Sequence, residues 1–165
     1  YTIFAILNLL VPILILYIAF DNGILDLPAR YFFVFLFSWP IVALAGWISF
    51  KLWMKRRSEL DLTADNGNDF VATPIYASLI QTSGEWFGTW VAILGFGTGI
   101  ISSIFLSGDA GYIFEEYFDI YFFSQGIFLI ILAPIYGLLI IIFSRFIAEQ
   151  FRALATIANN TKPRQ

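Results

Sequence analysis

Long stretches without charge are the feature that most constrains what this 165-residue chain can fold into. Four stretches are almost purely apolar: residues 2–20, 31–53, 86–106 and 120–143. Lys51 is the only charged side chain within them. Because an apolar helix of about 20 residues crosses the ~30 Å hydrocarbon core of a bilayer, the pattern predicts four transmembrane helices.

The predicted fold is an all-α membrane protein, an up-down bundle of four transmembrane helices in one domain covering residues 1–165. The helices are predicted at residues 2–20, 31–54, 74–106 and 120–158, with a linker at 58–73. Composition agrees, since 59% of the residues are hydrophobic and 13% are charged. In soluble domains roughly 45–50% of the residues are hydrophobic and ~25% are charged. This chain would therefore expose too much apolar surface in water.

Lys and Arg are unequally divided between the two sides of the predicted bundle. Segments 21–30 and 107–119 share one side and hold a single basic residue, Arg30, whereas the other side holds eight. Cytoplasmic loops retain Lys and Arg, so both termini and the linker are predicted to be cytoplasmic. The outer segments are acidic. Either these segments attract a cation or a basic partner, or they are acidic only because membrane insertion keeps basic residues on the other side.

Small residues recur along one strip of helix three and one line of helix four. At 100° per residue, the helix-three positions lie within about 80° and the helix-four positions within about 20° of one line. The two ridges consist of Gly84, Gly88, Ala92, Gly95, Gly99 and Ser102 in helix three, and Gly126, Ala133, Gly137 and Ser144 in helix four. Small residues let helix backbones approach closely in lipid. We therefore predict an antiparallel hairpin of helices three and four, the alternative being that one ridge faces another subunit.

Two charged segments follow the membrane spans on the predicted cytoplasmic side. Residues 144–158 continue helix four as an amphipathic extension, which either lies on the inner leaflet or docks on a partner. The cluster after helix two is either a stop-transfer anchor or a site for anionic headgroups. The candidate partner or lipid contacts in these segments are Lys55, Arg56, Arg57, Arg145, Glu149 and Arg152.

A few polar or aromatic side chains stand out near the spans. Asn8 either joins helices by a hydrogen bond or contacts a ligand, and Pro12 predicts a kink, because it cannot donate to the Asn8 carbonyl. Glu85, at the inner boundary, is either a coupling or gating carboxylate or an interfacial helix charge. Trp86 and Trp90 are predicted at the inner membrane interface, where indole rings are enriched.

Several chemistries have no residues to support them. The chain contains no Cys and no His, which removes disulfides, thiolate sites and the commonest metal and haem ligand. It also has no Gly-rich phosphate loop, no activated nucleophile and no basic aromatic surface for nucleic acid. We therefore predict a protein that is not an enzyme, with no catalytic, cofactor-binding or metal site and no nucleic-acid partner.

The run from Phe143 to Lys162, which ends in Ile-Ala-Asn-Asn-Thr-Lys, and the segment Gly84-Glu85-Trp86-Phe87-Gly88 carry a resemblance. Together they resemble a group of small uncharacterised bacterial inner-membrane proteins with a helical hairpin and a juxtamembrane helix. The resemblance covers roughly the second half of the chain. It implies a bacterial inner-membrane location and assigns no functional residues.

These observations predict a non-catalytic inner-membrane protein that acts as an accessory or scaffold subunit of a membrane complex. Its expected partners are the lipid bilayer and either other membrane subunits or further copies of itself. The alternative is a component of an oligomeric channel or transporter, with a pore between copies. The first reading is favoured, because no helix shows the regular polar stripe that would line a water-filled pore.

Overall fold

A computed structural model describes residues 1–64, 72–106 and 126–161. The described part contains four helices and no strand: α1 (Thr2–Asp21), α2 (Ala29–Ala64), α3 (Ala72–Phe105) and α4 (Gly126–Asn160). Each helix contains a stretch that is long and apolar enough to cross a membrane. For the described residues, the prediction of an all-helical fold with four such helices is confirmed.

The helix boundaries differ most from the prediction at the end of α2. This helix continues to Ala64 rather than ending at 54, and α3 already begins at Ala72, so helix covers both ends of the predicted 58–73 linker. The physical reason is that residues 55–64 contain neither Gly nor Pro and are mostly good helix formers. The predicted outer segment 107–119 and the predicted first turn of helix four, 120–125, lie outside the described residues.

Helices that are consecutive in the chain pack against each other. The most extensive packing joins α3 to α4, followed by α2 with α3 and α1 with α2. Along the α3–α4 contact, Gly84 lies against Ser144 and Gly95 lies against Ala133, so the two helices run in opposite directions where they touch. Among the described helices, only α3 packs extensively on α4. One side of α4 therefore has no extensive contact with another described helix.

A proline and a glycine shape the contact between α1 and α2. Pro12, inside α1, has no N–H for the carbonyl of Asn8. Gly46 of α2 lies directly over that carbonyl, because a Cβ at this position would be only 2.6 Å from the Asn8 oxygen. The Trp39 indole, also on α2, donates to the Pro12 carbonyl oxygen over 2.9 Å. The missing side chain of Gly46 thus permits α2 to cover the interrupted part of α1.

The outward faces of the helices are apolar. Ile3, Tyr17 and Ile104 are each roughly 70% exposed. Many other Phe, Leu and Ile side chains along all four helices are also exposed, to a similar or smaller fraction. Monomeric soluble proteins rarely expose such large contiguous apolar surfaces. The pattern is compatible with helices surrounded by lipid.

Candidate functional site

A buried carboxylate lies where α2, α3 and α4 meet. The Glu85 side chain on α3 is only 8% exposed. Arg56 of α2 donates through Nη2 to both carboxylate oxygens, at 3.0 and 2.8 Å. Arg145 of α4 donates through Nε to Oε1 over 2.8 Å, and Gln81 donates to the same oxygen over 3.0 Å. One carboxylate therefore links three helices.

Further polar contacts extend this arrangement, which we call the Glu85 network (Arg56, Glu59, Gln81, Glu85, Arg145 and Arg152). Glu59 pairs with Arg56 over 2.6 Å. Arg152 donates to the Gln81 side-chain oxygen over 2.7 Å, two turns beyond Arg145 on α4. Arg56 is 22% exposed and Arg145 is 56% exposed. The network thus has a buried centre and an exposed edge on α4.

The geometry of Glu85 fits a structural role better than a coupling or gating role. A carboxylate offers about four acceptor positions, and its two oxygens accept from Arg56, Gln81 and Arg145. Oε1 accepts three of these hydrogen bonds and Oε2 accepts one, so groups of the chain itself occupy most of the acceptor capacity of the carboxylate. Among the residues that the structure describes, no group of three or more acidic side chains is placed to hold a metal ion.

A second polar cluster joins α1, α2 and α3. Asn8 is 5% exposed and its Oδ1 accepts from the indoles of Trp86, at 2.7 Å, and Trp90, at 3.2 Å. Trp90 also donates to Ser49 Oγ over 2.6 Å, and Asn8 donates to the Phe4 carbonyl oxygen of its own helix. Asn8 therefore joins helices, one of the two roles that the sequence left open.

Sequence reasoning missed the partners in both clusters. The sequence predicts Trp86 and Trp90 at the membrane interface, and the structure adds that their indole N–H groups point to Asn8. Their spacing of four residues places both rings on one side of α3, and this was the available signal. No local signal connects Glu85 with Arg56, 29 residues earlier, or with Arg145, 60 residues later.

The two small-residue ridges lie against each other. A Cβ added at Gly88 would collide with the carbonyl oxygen of Gly137, and one added at Gly137 would collide with that of Gly88. Gly137 also faces Ala92. The other pairs across the contact are Gly84 with Ser144 and Gly95 with Ala133. Gly99 and Ser102 are buried further along α3, and Gly126 is the first residue of α4, with no contact described.

The candidate partner or lipid contacts divide into two groups. Arg56, Arg145 and Arg152 donate to side chains of the Glu85 network within the chain. The side chains of the other three are exposed: Lys55, Arg57 and Glu149.

An apolar groove of about 650 Å³ runs between α3 and α4. Its walls include Trp86, Phe87, Trp90 and Leu94 of α3 and Tyr136 and Ile140 of α4. A second, shallower depression shares Tyr136 and Ile140 and continues along α4 to Phe143 and Phe146. The groove is therefore continuous with an exposed apolar face of α4.

No protein family, curated protein or solved structure matches this chain. Function must therefore be inferred from the residues and the geometry described above.

Proposed function

We propose that this chain is a non-catalytic integral protein of the bacterial inner membrane, an accessory or scaffold subunit of a membrane complex. The observation that carries the proposal is an exposed apolar strip on a helix that is longer than a bilayer requires. The strip consists of Phe151, Leu154 and Ile157 near the end of α4, and the last two side chains are about 60% exposed.

The proposed topology has four membrane crossings in up-down order, with both termini in the cytoplasm. It rests on the eight-to-one division of Lys and Arg in the sequence. In this orientation the Glu85 network lies at the cytoplasmic boundary, because residues 86–106 form the apolar part of α3. The end of α4 then projects into the cytoplasm.

Helix length indicates that lipid does not cover the strip. The headgroup region adds only about 5–7 Å to each side of the hydrocarbon core. Leu154 and Ile157 follow Arg145 by nine and twelve residues, which is about 14 and 18 Å along a helix. The Arg152–Gln81 hydrogen bond connects this part of α4 to α3, and Ala148 and Ala155 are buried in the chain. The strip is therefore suited to a polypeptide partner.

Orientation is tested by labelling single cysteines in a chain that has none of its own. Asn22 and Ser58 are exposed on opposite sides of the proposed topology. We expect an impermeant thiol reagent to label Asn22→Cys only from the periplasmic side and Ser58→Cys only from the cytoplasmic side. The reverse pattern, or labelling of both from one side, would contradict the topology.

The scaffold role is tested by placing charge on the strip. We expect the unaltered chain to purify in mild detergent as an assembly heavier than the monomer. The double variant Leu154→Glu and Ile157→Glu should insert normally but associate at least about tenfold more weakly, a loss of ~1.4 kcal/mol. The control is Thr156→Ala, an exposed position on another side of α4 that should leave the assembly unchanged.

A monodisperse wild-type monomer would contradict the scaffold proposal. The alternative, a component of an oligomeric channel or transporter, would be favoured by specific, saturable ion flux in liposomes that contain only the purified chain.

A further inference from the structure

We infer that α4 pairs in parallel with α4 of a second copy of this chain, along a seam that begins in the α3–α4 groove and ends at the cytoplasmic strip. This inference deepens the proposed function and rests on it for the shared orientation of the copies in the membrane.

The spacing of residues along α4 supports a helical partner. Seven positions alternate at intervals of four and three residues: Tyr136, Ile140, Phe143, Ile147, Gln150, Leu154 and Ile157. We call this set the α4 seam. It covers three heptads, about 32 Å of helix, and all members except Gln150 are apolar. A sustained 3.5-residue repeat is the pattern that drives two helices to wrap around each other.

The seam is open in the single chain. Tyr136 is 47% exposed, while Phe143, Leu154 and Ile157 are each about 60% exposed. The residues of α4 that face α3, such as Gly137 and Ser144, lie about 90–110° around the helix from the seam. A second helix can therefore occupy the seam without displacing α3, and it would fill the groove beside Tyr136.

The charges of the α4 extension are kept away from the seam. Arg145, Glu149 and Arg152 all occupy heptad positions on the far side of the helix. The positions that flank the seam are uncharged: Gly137, Leu139, Ser144, Phe146, Phe151, Ala153, Ala158 and Asn160. In a parallel pair the flank of one helix faces the opposite flank of the other, and these uncharged flanks bring no like charges together. Nothing along this face therefore opposes a second copy.

Gln150 favours a second copy over an unrelated helix. Its amide both donates and accepts hydrogen bonds, so it can pair with an identical amide at the same height. Two copies in one membrane share an orientation, and a two-fold axis along the membrane normal places Gln150 opposite itself. A single polar residue in an apolar seam is also a known way to fix helix register.

Cross-linking of single cysteines in native membranes tests this pairing, with neighbouring exposed residues as matched controls. The pairs are Phe143→Cys against Ile142→Cys, Gln150→Cys against Glu149→Cys, and Ile157→Cys against Thr156→Cys. Because these 165 residues contain no cysteine, every disulfide-linked dimer reports the introduced residue. We expect the seam variant of each pair to cross-link at least about fivefold more than its neighbour, since only seam positions face each other in a parallel pair.

Equal cross-linking within the pairs, an excess at the control positions, or no dimer at all would overturn the seam. If the wild-type chain still forms a heavier assembly that depends on Leu154 and Ile157, the scaffold proposal stands with a different subunit on the strip. If that assembly is also missing, both inferences are lost.

Discussion

Replacing Glu85 with Gln should destabilise the chain more than any other loss of a charged side chain among the described residues. The substitution keeps the shape of the side chain but removes the buried charge that pairs with Arg56, which retains only the more exposed Glu59 as its carboxylate partner. Breaking a buried ion pair costs about 3–5 kcal/mol, and we expect the lower end of this range because Glu59 still pairs with Arg56. The Arg145 part of the loss is smaller, because that side chain is 56% exposed and solvent screens its charge. Thermal unfolding in detergent, followed by Trp fluorescence, measures the effect.

Two comparisons separate this effect from a general loss of negative charge. Glu149→Gln removes an exposed carboxylate from α4 and should change the free energy of unfolding by less than about 0.5 kcal/mol. Arg56→Met should cost more stability than Arg145→Met, because Arg56 is the more buried partner. A Glu85→Gln variant as stable as the wild type would contradict the structural role of the network.

Gly88→Ala should separate α3 from α4. The added methyl group would meet the carbonyl oxygen of Gly137, a backbone atom that cannot rotate away, and the Ile141 side chain. We expect a loss of about 2–3 kcal/mol, at the upper end of typical overpacking costs, and a similar loss for Gly137→Ala. Thermal unfolding of the purified variants, in the same detergent as the wild type, checks this result.

The matched control is another helical glycine, Gly97 on α3. A methyl group there would meet the side chain of Ile41, with Cδ1 at 2.6 Å and Cγ2 at 2.8 Å. Since side-chain atoms can shift where a backbone carbonyl cannot, Gly97→Ala should cost less than Gly88→Ala. Equal losses at both glycines would mean that the carbonyl contact does not limit the packing.

The parts of the fold that follow from local periodicity could be predicted from the sequence. The small-residue ridges are an example, because positions such as Gly88 and Gly95 share one side of a helix whatever surrounds it. The continuation of α2 to Ala64 could not be read in the same way. Its charged end shows no regular spacing of apolar side chains that would predict a helix. The absence of a helix-breaking residue also predicts that a helix continues less strongly than the presence of one predicts that it ends.

The candidate site was less predictable, because its chemistry depends on partners that are distant in sequence. The position of Glu85 at the end of an apolar stretch was visible, but its two arginine partners come from two other helices. The same holds for Asn8, whose role depends on two indoles about 80 residues later. Pairing across helices is a property of the packed structure and leaves no trace in the local sequence.

The Asn8 cluster has a consequence for when the first two helices can complete their polar contacts during synthesis. Ribosomes deliver α1 and α2 to the membrane before α3, yet the indoles that satisfy Asn8 Oδ1 and Ser49 Oγ are both on α3. An unpartnered amide in hydrocarbon is unfavourable, and the Phe4 carbonyl satisfies only the donor side of Asn8. In a membrane, α1 and α2 would therefore keep an unsatisfied acceptor at Asn8 until Trp86 and Trp90 of α3 have been synthesised.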